Sequence, residues 1–268
     1  MTSEDLEAAR PSDPQSVADY SPEWIKAHIA DERRQASILG ESREIIFGAQ
    51  DGLVSTLAVV ATVAGAASSR TAVLVAGLAS AVAGIFSMGI GEYMSSKSQG
   101  EMNRRLVAEE LEEVRERPLE SEAEVAYMFE QEGLGQDDAR RIASVIAKSP
   151  NSLLSTMVSK ELGLIVDQED TEGSPLQGAV FMAVAFAVGS MVPVIPFLFA
   201  GGTTALAWAT ATTAAVLFAI GAVKARWTNR NPVVSGLEIV ALAAAAGVLG
   251  YLFGTVLPEL LGFSPAAA

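Results

Sequence analysis

Five long apolar stretches follow one another along the chain, and a polar segment separates the second stretch from the third. The stretches cover about 45–67, 71–94, 176–200, 203–223 and 233–257. A helix needs about 20 mainly apolar residues to cross the hydrocarbon core of a bilayer, and each stretch is long enough. Because the apolar positions are continuous rather than alternating, they predict spanning helices rather than the strands of a barrel.

The polar segment between the second and third stretches predicts further helices. In residues 97–173 the acidic side chains outnumber the basic ones two to one. Helix-starting and helix-ending signals are present at Pro118, Gly133, Gly135, Asp137, Ser149, Pro150 and Gly163. These signals predict a helix over 97–117 that continues the second span, followed by helices over 120–132, 137–148 and 152–162.

The pattern as a whole predicts an all-α integral membrane protein with five transmembrane helices. A polar N-terminal arm covers 1–38, with a flexible start and then a short helix opened by Ser21 as cap and Pro22 at its first position. Spans one and two lie in 39–96, the inserted helical acidic domain in 97–173, and spans three to five in 174–268. Pro193 and Pro196 predict a kink in span three, because proline removes helical hydrogen bonds.

The positions of Lys and Arg predict an orientation. The N-terminal arm and the loop between spans four and five carry Lys26, Arg33, Arg34, Arg43, Lys224, Arg226 and Arg230. By contrast, the loop between spans three and four carries none, and that between spans one and two carries only Arg70. Since positively charged loops remain on the cytoplasmic side, the N-terminus and the acidic domain are expected to be cytoplasmic. The first forty residues show no cleavable signal peptide, so the first span is expected to insert as its own signal.

Composition narrows the chemistry. The chain has no cysteine and one histidine, His28, which excludes disulfides, thiolate sites and zinc sites built on imidazoles. The net charge of −14 argues against nucleic acid as a partner and suits a protein that attracts cations. No nucleophile–base pair or cofactor loop is visible, so neither an enzyme nor a prosthetic group is expected.

Asp51 is the most informative residue, because it lies well inside the first apolar stretch. An ionisable group within a membrane is costly and is usually functional. Glu44 lies seven residues earlier, two helical turns away and therefore on the same face. The two carboxylates predict a cation path. The alternative is a structural role for Asp51, which is weakened because no basic residue in any span is available as its partner.

Met88 and Glu92 form a second candidate pair in the second stretch. They are one turn apart, and Gly84, Gly89 and Gly91 around them allow close helix approach. A methionine in an apolar helix is usually a packing residue. A carboxylate combined with a thioether nevertheless suits a borderline-soft ion such as Fe²⁺ better than Mg²⁺ or Ca²⁺.

The polar segment holds a third candidate, a helix crowded with glutamates. Its acids are Glu109, Glu110, Glu112, Glu113 and Glu116, and Glu120, Glu122 and Glu124 open the next helix. Like charges at three- and four-residue spacing repel one another, and a bound cation would relieve that repulsion. Met157 and Glu161 lie one turn apart on the last helix of the segment. The alternative is a solvated acidic face with nearby arginines as counter-ions.

Three separated motifs resemble those of the vacuolar iron transporter family. They are REIIFGAQDGL at 43–53, SMGIGEYMSSK at 87–97 and KELGL at 160–164. The likeness covers roughly 40–257, with the same five spans and the same acidic insertion. It implies a homodimer that moves Fe²⁺, often with Mn²⁺, out of the cytosol in exchange for protons, through a pore lined by the first two spans of each subunit.

The resemblance also implies roles for individual residues. Asp51 and Met88 match the family's paired pore ligands, and Glu44 matches an acid at the pore mouth. The implied ligands in the cytoplasmic metal-binding domain are Glu110, Glu113, Glu124, Met157 and Glu161, and to these the acidic pattern adds Glu109 and Glu120.

The sequence departs from the family pattern at four positions. Ser80 replaces a glutamate of plant members, and Glu92, in place of a glycine, is a candidate to take over part of its role. Val158 replaces a second methionine. Ser121 falls on a family glutamate, although Glu120 precedes it.

These observations predict a transporter of divalent transition metal, Fe²⁺ and possibly Mn²⁺, in contact with membrane lipid. Two alternatives remain: a membrane-anchored metal sensor or buffer, and a transporter of another divalent cation such as Ca²⁺. The alanine-rich composition and short loops favour a prokaryotic plasma membrane as the location.

Overall fold

The computed structural model of the protein describes residues 16–66, 69–164 and 174–260, and these residues are almost entirely α-helical. A 3₁₀ turn, Val17–Asp19, comes first. The helices are α1 Pro22–Ala66, α2 Arg70–Glu116, α3 Pro118–Gln131, α4 Gln136–Ile146, α5 Pro150–Glu161, α6 Pro175–Val194, α7 Pro196–Phe199, α8 Gly202–Trp227 and α9 Pro232–Leu260. The predicted all-α class is confirmed.

Among the described residues, five helices are long and apolar enough to cross a membrane, as predicted. The candidate spans are Ser42–Ala66, Arg70–Glu116, Pro175–Val194, Gly202–Trp227 and Pro232–Val256. With 47 residues, α2 is about 70 Å long at 1.5 Å per residue, more than twice the thickness of the hydrocarbon core. Its apolar first half is long enough to span a membrane, and its charged second half continues the same helix without a break, as predicted.

The beginning of α1 differs from the prediction in length. Ser21 caps the helix as expected, since its hydroxyl accepts a hydrogen bond from the Trp24 amide at 3.1 Å. The helix is not a short one, however, because it runs from Pro22 through the whole first span. Only isolated glycines and no internal proline occur in this sequence, so nothing ends the helix. The predicted flexible start of the arm, in residues 1–15, lies outside the described residues.

The chain divides into two compact units, Met1–Glu92 with Leu176–Ala268, and Tyr93–Pro175. We call the first the membrane unit and the second the acidic unit. The last part of the predicted acidic domain, residues 165–173, lies outside the described residues.

Within the membrane unit, small residues bring the helices into close contact. A Cβ on Gly250 of α9 would lie 2.8 Å from the Ala58 carbonyl oxygen of α1, and one on Gly221 of α8 would lie 2.7 Å from Cα of Gly236 in α9. The hydroxyl of Thr62 donates to the Gly250 carbonyl at 2.8 Å. Backbones can approach so closely only where side chains are absent, and such contacts hold membrane helices together.

Span three is broken where the two prolines predicted a kink. Helix α6 ends at Val194, and the short α7 begins at Pro196. Because α7 ends at Phe199, the carbonyl groups of its last residues have no helical partners. The Arg70 guanidinium, at the start of α2, donates to the carbonyl oxygens of Phe197 and Leu198, so it satisfies part of the freed backbone.

The acidic unit packs α3, α4, α5 and the charged half of α2 around a small apolar core. Val114, Val125, Leu153, Met157 and Val158 are among its buried members. Gly133 and Gly163 have φ of 102° and 66° and lie just past α3 and α5, in the left-handed conformation expected of glycine there. The predicted helices are present, with ends shifted by one or two residues. Gly135, rather than Asp137, occupies the N-cap of α4.

Candidate functional site

Asp51 lies where α1 and α6 touch backbone to backbone. A Cβ on Gly48 would lie 2.6 Å from the Met182 carbonyl oxygen of α6. Gly52 faces the Phe186 carbonyl in the same way, and Gly189 of α6 faces the Ala49 carbonyl. These contacts leave no room for side chains at Gly48 and Gly52, which lie before and after Asp51 in the sequence. The backbone of α6 therefore determines the position of this part of α1.

The Asp51 side chain is half-buried in this setting. The structure gives its carboxylate no ion pair among the residues that it describes. The Ser55 hydroxyl donates to the Asp51 carbonyl oxygen at 2.6 Å, a bond from position i to i−4 that competes for a helical carbonyl. A carboxylate without a basic partner inside a spanning helix is suited to bind a cation or a proton.

Glu44 lies in the same helix, seven residues before Asp51 and so about 20° from it around the helix axis. Its half-buried carboxylate packs against the first turn of α6, where a Cβ on Gly178 would lie 2.9 Å from Oε2. Glu44, Gly48 and Gly52 follow one another at four-residue intervals. The acid therefore lies on the α6 side of α1, on the same stripe as the two glycines.

Met88 and Glu92 are both half-buried in α2, one turn apart as predicted. Gly84, one turn before Met88, packs against the ring of Phe186 from α6. Gly91 has no neighbour within 4 Å of the position that a Cβ would take. The same residue of α6, Phe186, thus contacts both helices that carry the predicted pore ligands.

In the acidic unit the structure brings three carboxylates together. Ligand oxygens of Glu113, Glu120 and Glu124 all lie within 4.8 Å of one another; we call these residues the glutamate triad. Glu113 belongs to the end of α2, and the other two lie one turn apart at the start of α3. The chain bends at Pro118, which occupies the first position of α3, and this bend turns Glu120 and Glu124 toward Glu113.

Glu110 lies next to the triad and is the most buried acid of the group, with 9% of its surface exposed. Its Oε2 has no hydrogen-bond partner among the described residues. Burial raises the pKa of Glu110, and the negative charges of Glu161, Glu113, Glu124 and Glu109 raise it further. A buried carboxylate among like charges is costly, and it would be stabilised by a cation or a proton.

Glu124 is in a similar electrostatic setting. Burial raises the pKa of Glu124, and the charges of Glu113, Glu161 and Glu120 act in the same direction, while Arg117 opposes them. The triad and the neighbouring Glu110 therefore form one acidic centre. Its ligand atoms are all carboxylate oxygens, and such a set suits a divalent ion.

Three other predicted ligands lie in different surroundings. Glu109 pairs with Arg105 at 2.8 Å on the exposed side of α2. Glu161 is exposed, yet close enough to raise the pKa of Glu110 by its charge. Met157 is only 1% exposed and belongs to the apolar core of the unit. The ligand roles of Glu109, Glu161 and Met157 stay predictions.

The sequence reading missed the glycines that position Asp51. Gly48 and Gly52 are separated by three residues, which is the small-residue spacing of closely packed membrane helices. The signal was therefore present, but their partner surface on α6, with Gly178 and Gly189, could not be identified without the structure.

Comparison with known proteins agrees with the motifs. The model of the VIT family matches residues 42–255. The chain is 31% identical over 239 residues to vacuolar iron transporter 2 of Oryza sativa subsp. japonica, covering 85% of this chain and 96% of that protein. It is 32% identical over 215 residues to vacuolar iron transporter 1 of Arabidopsis thaliana, covering 80% and 85%.

A third relative comes from a different kind of organism. The vacuolar iron transporter of Plasmodium falciparum (isolate 3D7) is 30% identical over 223 residues, which cover 80% of this chain and 81% of that protein. These relatives are named as transporters, in agreement with the prediction that the chain is not an enzyme. They come from plants and a parasite, so they give no support to the predicted prokaryotic plasma membrane. With five helices in its described residues that can span a membrane, and a family match over most of its length, the chain is a multi-pass membrane protein that belongs to the VIT family.

Proposed function

We propose that the protein transports a divalent transition metal, Fe²⁺ first and Mn²⁺ second, out of the cytosol in exchange for protons. The observation that carries the proposal is Asp51, a half-buried carboxylate in a spanning helix that has no ion pair among the described residues. The relatives named iron transporters support a role for this carboxylate in binding a transported cation. Competition between metal and proton for the same carboxylate gives a route to exchange.

The acidic unit would supply the pathway with metal. Its glutamate triad and Glu110 concentrate negative charge, and such a field raises the local concentration of a cation around the unit. In this proposal the acidic unit and the N-terminus are cytoplasmic. The ion then passes Glu44, reaches Asp51 and Met88, and leaves on the opposite side of the membrane.

The proposal includes a homodimer in which the first two spans of each subunit line the pore. Exposed apolar side chains follow α2 at three- and four-residue spacing, at Val75, Leu78, Val82, Phe86 and Ile90. Such a stripe suits either lipid or the same helix of a second copy. Cross-linking of single cysteines placed along it, in a chain that has none of its own, would distinguish the two.

The decisive experiment is flux into proteoliposomes. We would load the vesicles with an acidic buffer, add Fe²⁺ outside under reducing conditions, and compare wild type with Asp51→Asn, which keeps the shape and removes the charge. The control is Glu238→Gln. Glu238 also lies in a spanning helix but is exposed and paired with Arg230 at 3.5 Å, so this variant is expected to transport normally.

Flux that follows the pH gradient and is lost only in Asp51→Asn supports the proposal. Normal flux in Asp51→Asn contradicts it. Metal binding without any flux in wild type would favour the sensor or buffer. If Ca²⁺ is carried as well as Fe²⁺, the transporter is of the more general cation class.

A further inference from the structure

The basic side chain of Arg117 contacts two of the three glutamates of the triad. The Arg117 guanidinium is 3.0 Å from Oε2 of Glu120 through Nη1 and 3.4 Å from Oε2 of Glu113 through Nη2. Its charge also acts on Glu124, the third member, where it opposes in part the rise in pKa that burial and the neighbouring glutamates cause. Arg117 is the last residue before Pro118, between α2 and α3, so the bend that assembles the triad also directs this cation into it.

The acidic centre beside Arg117 is more than an exposed group of like charges. Glu110 is buried to nine-tenths, and its Oε2 has no hydrogen-bond partner in the described part of the chain. The charges of Glu113 and Glu124 act on this carboxylate, so it belongs to the same centre. Arg117 forms its ion pairs with Glu113 and Glu120, and Oε2 of Glu110 remains unsatisfied within the described residues.

A divalent ion and the guanidinium would need the same carboxylate groups. A metal bound by the triad would use the carboxylates of Glu113 and Glu120, and both already form ion pairs with Arg117. The two cations would also repel each other at contact distance. The Arg117 side chain is 53% exposed, so it can turn into solvent without breaking the apolar core.

We propose that Arg117 is a built-in competitor for the metal: its guanidinium occupies the glutamate triad of the metal-free protein and is displaced when a divalent ion binds. The inference rests on the proposed metal-capturing role of the acidic unit. Its consequence is an affinity that is weaker than three carboxylates alone would give. A captured ion is then released readily, because the tethered cation returns to the triad as the metal leaves.

Arg105 provides the matched comparison. It pairs with Glu109 at 2.8 Å on the same helix, and Glu109 lies outside the triad. Both arginines are exposed and both pair with glutamate over three or four residues. A general loss of positive charge would therefore affect metal binding equally in Arg105→Gln and Arg117→Gln, whereas direct competition would distinguish them.

The test is Mn²⁺ binding to the full-length protein in detergent, followed by calorimetry and by the Mn²⁺ electron paramagnetic resonance signal. We expect Arg117→Gln to bind Mn²⁺ roughly threefold to tenfold more tightly than wild type at low salt, the combined effect of two exposed ion pairs. Arg105→Gln should change the affinity by less than about twofold. At about 1 M salt, where the screening length is near 3 Å, the gain from Arg117→Gln should shrink.

A second readout separates competition from a purely structural role. Removing Arg117 leaves three carboxylates uncompensated, so the metal-free variant should melt at a lower temperature than wild type while binding metal more tightly. If Arg117 had only a structural role, its removal would lower both the melting temperature and the affinity for metal. If Arg117→Gln does not fold without metal, Arg117→Lys replaces it. An ammonium cannot bridge two carboxylates as a planar guanidinium does. The Mn²⁺ affinity of Arg117→Lys should therefore lie between that of wild type and that expected for Arg117→Gln.

Unchanged or weaker Mn²⁺ binding in Arg117→Gln, or in Arg117→Lys where that variant replaces it, overturns the inference. The double variant Glu113→Gln with Glu124→Gln tests the proposed capture role itself. If wild type binds Mn²⁺ and this double variant binds it equally well, the triad is not the site and the proposed role of the acidic unit fails. If the double variant loses binding while Arg117→Gln gains none, only the competition is refuted.

Discussion

Gly48→Ala is the most direct test of how the fold positions Asp51. The new Cβ would lie 2.6 Å from the Met182 carbonyl oxygen and 3.2 Å from Cβ of Ala185. An ordinary contact between a methyl carbon and an oxygen is about 3.5 Å, close to the optimum separation of non-bonded heavy atoms. Helices α1 and α6 would have to separate by nearly 1 Å, and Asp51, three residues further on, would move with α1.

The size of the effect follows from a comparison with a glycine in open space. Gly100 of α2 has no neighbour within 4 Å of a built Cβ, so Gly100→Ala should stabilise the helix by up to about 1 kcal/mol. Gly48→Ala gains the same propensity and adds an overpacking cost of about 1–3 kcal/mol. The difference between the two variants therefore isolates the clash. It corresponds to about 2–12 °C in melting temperature for a chain of this size.

The assay has two parts. Thermal unfolding in detergent, followed by intrinsic fluorescence, should place Gly48→Ala below Gly100→Ala by this amount. Fe²⁺ flux in proteoliposomes should fall at least about tenfold in Gly48→Ala, because a displacement near 1 Å spoils the geometry of a binding group, and it should be unchanged in Gly100→Ala. If Gly48→Ala melts as high as Gly100→Ala and transports normally, α6 does not position Asp51 and the reasoning is wrong.

Three further predictions concern single side chains. Burial and neighbouring charges raise the pKa of Glu110, so its ionised form destabilises the metal-free protein at any pH above that raised pKa. The destabilisation disappears below the ordinary pKa of 4.5, where the carboxyl is protonated in both the folded and the unfolded protein. Glu110→Gln should therefore melt at a higher temperature than wild type at pH 7, and the difference in melting temperature should close toward pH 4. Thr213 is fully buried and its hydroxyl lacks a hydrogen-bond partner among the described residues, so Thr213→Val should leave the stability unchanged or raise it. Thr62→Val removes hydrogen bonds of 2.7 and 2.8 Å and should lower the stability measured by thermal unfolding by about 1 kcal/mol. Met88→Leu keeps the volume and removes the sulfur, so the ratio of Ca²⁺ to Fe²⁺ flux should rise in the same vesicles; an unchanged ratio would remove Met88 from the metal pathway.

The helical elements could be predicted because their signals are local. Apolar length defined the five spans, and Pro118, the Ser149-Pro150 pair and Gly163 marked ends that the structure places within a residue or two. The prediction failed where a start signal was read without a stop signal. Ser21 and Pro22 open a helix, but no proline follows before Ala66, so the expected short helix is the beginning of a 45-residue one.

The contacts between helices could not be predicted in the same way. An apolar span has no polar face that shows which side is buried, so hydropathy does not reveal that Gly48 and Gly52 pack on α6. The spacing of two glycines suggests a close contact but does not identify the partner helix. The position of Asp51 relative to α6 is therefore a result of the structure alone.

The glutamate triad shows that a residue aligned with a family ligand need not be the one that the fold places in the site. The resemblance placed a family glutamate at Ser121, where this chain has a serine between Glu120 and Glu122. In the structure Ser121 is fully buried, and its hydroxyl donates to the Arg117 carbonyl oxygen at 3.3 Å. Glu120, one residue earlier and about 100° around the helix, lies in the triad instead. Three carboxylates therefore remain close together, because the bend at Pro118 directs Glu120 rather than Ser121 toward Glu113.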